Sequence, residues 1–137
     1  MPPIDPATVL ERLGGDAAVQ TWVKHFYDSV AADPILAPLF AADLGMSRDK
    51  QYRFFVQMLG GPQLYNERYG QPFLRFRHRH IKIGQPERDA WMARLIAALR
   101  QVTQDDELIA FLESRIAPIA DHMVNHQPGR KDAQNFN

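Results

Sequence analysis

The sequence predicts an all-α domain, and three observations carry that prediction. Apolar residues recur at three- and four-residue spacing in several separate stretches, which is the period of an amphipathic helix. Apolar and polar residues never alternate for long enough to suggest a strand. Glycine and proline, the strongest helix breakers, fall between most of these stretches. At 137 residues the chain suits one domain with a core large enough to fold alone.

Residues 1–5 read as a disordered lead. Residues 7–13 suit one short helix, stopped at Gly14-Gly15, and Asp16 is placed to cap the next. From Ala17 onward Val19, Val23, Phe26 and Val30 form a helical stripe, flanked by Trp22 and Tyr27. Asp33-Pro34 ends this helix, because a residue before proline avoids the α region. Residues 35–40 form a short apolar turn or helix. The next helix spans about residues 46–59, with Phe54, Phe55 and Met58 on its apolar face. Stepping back along that face by helical spacing gives Gln51 and Ser47. These two uncharged polar residues are either a fraying first turn or hydrogen-bonding groups overlooking a cavity.

Gly60-Gly61-Pro62 breaks this helix, residues 63–71 read as loop, and a short helix covers residues 72–78. After a connection to Gly84, Pro86 lies near the start of a long helix with the buried stripe Trp91, Leu95, Leu99 and Val102. Thr103 or Gln104 begins the last helix, where Asp105, Asp106 and Glu107 suit its positive end. Its stripe is Leu108, Phe111, Leu112, Ile116, Ile119 and Met123, crossed by Pro118, which is expected to kink it. Residues 127–137 read as a disordered tail, so the domain is expected to span residues 1–126.

Composition narrows the function. Lys+Arg and Asp+Glu each number 16, so the net charge gives no reason to expect nucleic acid or an anionic membrane as partner. The absence of cysteine excludes disulfides, thiolate-held clusters, cysteine zinc sites and covalent haem attachment through Cys-x-x-Cys-His. The first residues lack the cationic and apolar regions of a signal peptide, and no apolar run approaches the ~20 residues that span a bilayer. A cytoplasmic protein, monomeric or homodimeric, is the expectation.

The most unusual stretch is residues 72–83, which packs two aromatics, four cations and two histidines into twelve positions. His78 and His80, at i and i+2, point to nearly opposite sides of a helix and have no neighbouring carboxylate or cysteine for a zinc cluster. Taken alone, the stretch reads as an interhelical turn with exposed histidines. The other reading is a single neutral imidazole facing an apolar cavity, flanked by arginines, as a haem iron and its propionates require.

The rest of the chain favours the second reading. With its helices in this order the chain resembles a group II truncated haemoglobin over residues 9–126. The resemblance rests on Gly14-Gly15, Phe26-Tyr27 before Asp33-Pro34, Leu59-Gly60-Gly61-Pro62, Tyr65, and Gly70-x-Pro72. It continues through Leu74-Arg75-x-Arg77-His78, Glu87-Arg88-Asp89-Ala90-Trp91 and His122-Met123-Val124-Asn125. The arginine-arginine-histidine element, with Trp91 thirteen residues beyond His78, is its most specific part.

The resemblance implies a two-over-two helical sandwich around haem b, and it implies roles. His78 falls at the proximal iron ligand, Tyr27 at the distal tyrosine and Trp91 at the distal tryptophan. Phe40 falls where an aromatic packs on the haem, and Ser47 and Gln51 at two distal positions. Phe54, Phe55 and Ile83 would wall the pocket, and Arg77 and Lys50 would pair with propionates. A neutral imidazole leaves one iron position for a diatomic ligand. Phenol and indole donors favour a ligand that takes on negative charge, as dioxygen does, over an apolar one. Taken singly, Tyr27 and Trp91 on core stripes are packing residues; their joint occurrence with His78 shifts the balance.

The sequence departs from the family in two places. His80 and Ile81 stand where relatives often carry proline and phenylalanine, which makes His80 a rival ligand. Phe40 replaces a tyrosine found in some members and so removes one distal hydroxyl. His122 and His126, at i and i+4, lack a third ligand and read as an exposed helix end.

Three functions follow. The leading one is reversible binding of dioxygen and of small ligands such as carbon monoxide, nitric oxide or sulfide. The second is a redox enzyme using the same site on nitric oxide or peroxide, with a separate reductase as electron donor. The third is a haem-free helical interaction module.

Overall fold

The computed structural model describes residues 4–40 and 44–126. The expected disordered tail over residues 127–137 and the first three residues of the expected lead lie outside the described residues. A 3-10 turn, Pro6–Thr8, leads into α1 (Val9–Leu13), and α2 (Asp16–Ala31) follows across Gly14-Gly15. Ile4 packs on the core, and Asp5 caps the first turn by accepting the Ala7 N–H at 3.0 Å. A second 3-10 turn, Ala37–Leu39, precedes α3 (Gly45–Met58). Then come α4 (Leu64–Tyr69), α5 (Leu74–Arg77), α6 (Gln85–Arg100) and α7 (Asp106–Met123). Among the described residues there is no strand, and no helix is long and apolar enough to cross a membrane.

The long helices pack as two pairs, α2 with α3 and α6 with α7, joined by the contact of α2 with α6. Their shared core is what the apolar stripes predict. Val19, Trp22, Val23, Phe26 and Val30 of α2 are buried, as are Leu95 and Leu99 of α6 and Leu108, Leu112 and Ile116 of α7. Trp22 stacks on Phe55 of α3 with ring centroids 4.5 Å apart. Gly61 permits the close seating of α1 on the end of α3, since a Cβ there would lie 2.7 Å from Leu10 Cδ2 of α1 and 2.8 Å from Val56 Cγ1 of α3.

Two expectations need correction. Asp16 does not cap α2: Gly15 holds the cap position, and the Asp16 carboxylate instead accepts hydrogen bonds from Gln20 and the Tyr52 hydroxyl. Residues 63–71 are not loop throughout, because α4 forms within them. Six residues are too few to show a period. What fixes α4 is tertiary: Tyr65 is buried edge-on to Phe54, and the Gln57 carboxamide both accepts the Asn66 N–H and donates to the Asn66 side chain.

The end of α2 also shows why the chain turns where it does. Asp33 accepts the N–H groups of Ile35 and Leu36 and the Arg94 guanidinium of α6 at 2.9 Å. The Arg94 hydrogen bond, with the two backbone donors, holds its carboxyl below the usual carboxylate range. This pin sets the start of the segment carrying Leu36, Leu39 and Phe40 toward the space under α3.

Candidate functional site

The two helix pairs do not close against each other completely. Between them and the segment from α5 to Ile83 lies a cavity of about 460 Å³, within the roughly 300–1,000 Å³ typical of cofactor sites. All eleven residues singled out from the sequence line it. Its presence also explains α3, where only Phe55 and Val56 are buried and residues 47–54 are all half-buried.

Tyr27 and Trp91 lie on the wall formed by α2 and α6. Tyr27 is buried, edge-on to Phe26 and to Phe40, with the Phe40 centroid 5.6 Å away. Its hydroxyl donates to the Ser47 carbonyl at 3.3 Å, so Ser47 meets it through backbone rather than side chain. Burial pushes the phenol well above its ordinary pKa, with Arg48 pulling weakly the other way, so it stays protonated. Trp91 sits edge-on to Phe26. Its indole N–H makes no hydrogen bond to any described residue. The contrast with Trp22 is instructive, since the Trp22 N–H is committed to the Leu95 carbonyl at 3.0 Å inside the core. Gln51 likewise brings an uncommitted carboxamide to the cavity. Phe54 and Phe55 supply apolar wall below it.

The opposite wall belongs to α5 and the turn after it. His78 caps α5 and is half-buried. Its Nδ1 lies 2.7 Å from the Leu74 carbonyl oxygen, which can only accept, so Nδ1 carries the proton. Burial is the largest influence on the ring and lowers its pKa, the Leu74 bond opposes this, and His80 and Lys50 add to the lowering. The imidazole is therefore neutral, with the Nε2 lone pair as its free coordinating atom. His80 also lines the cavity but is exposed, so position on the wall alone does not separate the two histidines.

Polar groups at the rim have distinct commitments. One amino group of Arg77 donates to the carbonyls of Tyr69 and Gln71 at 2.9 and 3.1 Å, while its Nε is buried without a partner. An orphaned guanidinium N–H beside a neutral histidine and apolar walls is what an anionic substituent of a flat apolar cofactor would satisfy. Lys50 stands over the Tyr69 ring, 5.3 Å from its centroid.

Asn125, quoted above only within a motif, proves to be the clasp of this wall. Its side-chain amide donates to the carbonyls of Ile81 at 2.7 Å and His78 at 3.4 Å, and its oxygen accepts the Ile83 N–H at 2.8 Å. Its own N–H donates to the Ile83 carbonyl. It is one of two buried polar residues among those described, the other being Asp33. Both act by closing a backbone turn beside the cavity.

Comparison with known proteins agrees with this geometry. The family profile described as bacterial-like globin matches residues 8–125. The chain is 40% identical over 111 residues to group 2 truncated hemoglobin YjbI of Bacillus subtilis, covering 81% of this chain and 84% of that one. The crystal structure of the group II truncated hemoglobin from Bacillus anthracis superposes with a TM-score of 0.81 at 34% identity, over 94% of this chain and 98% of that one. The truncated oxygen-avid haemoglobin from Bacillus subtilis gives a TM-score of 0.81 at 38% identity, over 85% and 98%. The fold is thus the two-over-two truncated globin, a family whose cofactor is haem and whose ligands are small gases. The chain belongs to the bacterial-like globin family and, within it, to the group II truncated haemoglobins.

Proposed function

We propose that this chain binds haem b through His78 and uses it to hold dioxygen reversibly, with carbon monoxide, nitric oxide and sulfide as further ligands. The observation that carries the reading is the His78 ring itself: neutral, with Nδ1 fixed on the Leu74 carbonyl and Nε2 free at a cavity wall. Haem supplies an iron that exchanges small ligands. The chain supplies the rest. Arg77 and Lys50 would hold the propionates. Phe40, Phe54, Phe55 and Ile83 would give it apolar wall.

On the side of the cavity built by α2, α3 and α6, hydrogen-bond donors are available. The Trp91 indole and the Gln51 carboxamide have uncommitted N–H groups, and the Tyr27 hydroxyl, protonated and resting on the Ser47 carbonyl, would have to turn from it to reach a ligand. Donors of this kind favour a ligand that draws negative charge, which supports dioxygen over apolar gases. Similarity to the Bacillus subtilis protein described as oxygen-avid supports the same choice. A visible absorption spectrum of the purified protein, oxidised and reduced and with each gas, tests the reading. A haem band that shifts reversibly with dioxygen is expected. A colourless protein that takes up no added haemin would replace the reading with a haem-free interaction module.

A further inference from the structure

Charge is distributed very unevenly along this electroneutral chain. Residues 68–86 hold five of its 16 cations and none of its 16 carboxylates, which leaves 11 cations against 16 carboxylates elsewhere. The imbalance persists in space. Arg12, Lys24, Arg48, Arg53, Arg68, Arg88, Arg94 and Arg100 each sit within ion-pair distance of a carboxylate. Arg77, Arg79 and Lys82 meet no carboxylate among the described residues. Glu87, the first acid after the segment in sequence, accepts the Gly84 N–H, and Asp121 pairs with Arg88.

The same short segment carries two of the four exposed large apolar side chains among the described residues, Phe73 at 65% and Phe76 at 58% exposure. Phe73 adopts a left-handed backbone, φ 38°, which is unfavourable for a side chain of this size. The Arg79 guanidinium lies over the Phe76 ring, 3.8 Å from its centroid. Aromatic and arginine groups side by side, with unpaired cations around them, have the composition of a binding hot spot rather than of a solvated turn.

From this juxtaposition we propose that the exposed segment carrying Phe73, Phe76, Arg79 and Lys82 docks an acidic one-electron carrier protein, which reduces the haem held by His78. The proposal rests on the haem reading. These residues lie on the segment that supplies His78, Arg77 and His80 to the cavity, so a docked donor would stand against the wall that carries the iron-binding histidine. The electron balance is simple: the carrier is oxidised by one electron as ferric haem is reduced to ferrous. A symmetric contact between two copies is disfavoured, because it sets this cationic patch against itself. An anionic membrane shares the charge requirement, but the site's chemistry gives it no reason to lie against lipid.

The test uses the haem-loaded protein, its loading verified by absorption, and a reduced plant-type [2Fe–2S] ferredoxin as the acidic carrier. The second-order rate of haem reduction is expected to fall about tenfold between about 10 mM and about 300 mM salt. Arg79→Glu/Lys82→Glu is expected to lower it about tenfold at low salt, and Phe73→Ser/Phe76→Ser to lower it by a similar factor. Reduction by dithionite should stay within about twofold in all variants, since it needs no docking. Anisotropy of labelled ferredoxin should report weakened binding by the same variants, and this readout decides the surface even if the protein proves to hold no haem. Rates and binding unaffected by salt and by both double variants would overturn the proposal. So would phosphatidylglycerol vesicle binding, or self-association in sedimentation, that these variants abolish while leaving the ferredoxin rate unchanged.

Discussion

On one side of the cavity Tyr27 and Trp91 stand on sixteen-residue helices whose remaining faces fill the core, whereas on the other His78 caps a four-residue helix with no buried residue. The first wall is positioned by packing. Trp22, Phe26, Leu95 and Leu99 are essentially inaccessible, and moving Tyr27 or Trp91 would mean moving them. The second wall is positioned by directed hydrogen bonds: the His78 ring donates to the Leu74 carbonyl, and Asn125 donates to the carbonyls of His78 and Ile81 and accepts the Ile83 N–H. The difference separates two kinds of change. Removing a donor from the packed wall alters what the site prefers, while removing a bond from the other wall alters whether the site exists.

The largest effect is therefore expected at Asn125. Asn125→Ala removes three side-chain hydrogen bonds and leaves the backbone groups they served in a partly buried turn. At about 1 kcal/mol net per bond, more where a buried group goes unsatisfied, the loss is about 2–4 kcal/mol. Denaturant unfolding of wild type and variant measures it, and haem should leave the variant faster. A loss under about 0.5 kcal/mol would mean that the turn holds itself.

Trp91 and Trp22 sharpen the comparison with one residue type. Trp91→Phe keeps much of the bulk and removes an uncommitted donor. At roughly 1.5–3 kcal/mol for a bond to a charged partner, dioxygen should be released about one to two orders of magnitude faster. Carbon monoxide release should change much less, and the melting temperature little. Trp22→Phe removes the bond to the Leu95 carbonyl and should do the reverse, lowering stability without altering the ratio of the two gases. Equal effects of Trp91→Phe on both gases would remove its donor role.

A smaller effect concerns cooperation within the packed wall. Tyr27 bonds the Ser47 carbonyl one helical turn before Gln51, so losing the phenol loosens the turn that presents the carboxamide. The cycle through Tyr27→Phe and Gln51→Leu should show coupling of about 0.5 kcal/mol or more in dioxygen dissociation. Strictly multiplicative effects would show the two groups acting separately.

Smallest is the pH dependence of Tyr27. Its folded pKa is raised by burial above the ordinary value of about 10, so the unfolded chain loses the proton first. The stability it contributes is complete below about pH 10 and declines as pH rises further. Urea midpoints of wild type and Tyr27→Phe should converge or cross above that pH. Parallel pH profiles would mean that the phenol is not buried as described.

The same contrast explains what could be read from the sequence. The packed wall was legible because packing writes a periodic signal: the stripes of α2 and α7 are long, and Ser47 and Gln51 stood out as polar positions on an apolar face. The hydrogen-bonded wall left less trace. Asn125 meets partners 42 to 47 residues away, and a buried asparagine looks like an exposed one in sequence. Helix α4 escaped because its six residues are held by Phe54 and Gln57 of α3 rather than by their own pattern. His78 and His80 were separated by helical geometry and family resemblance alone. The Leu74 bond to Nδ1 adds a physical reason to prefer His78, since it holds that ring in the tautomer that leaves Nε2 free to bind a metal.

Exchanging each histidine for glycine tests that preference directly. His78→Gly opens a space the size of an imidazole without disturbing His80. Haem added to this variant should give an altered spectrum, and free imidazole should restore the wild-type ferrous and carbon monoxide spectra, while His80→Gly should match wild type with no addition. A wild-type spectrum from His78→Gly without imidazole, or its loss in His80→Gly, would contradict the assignment.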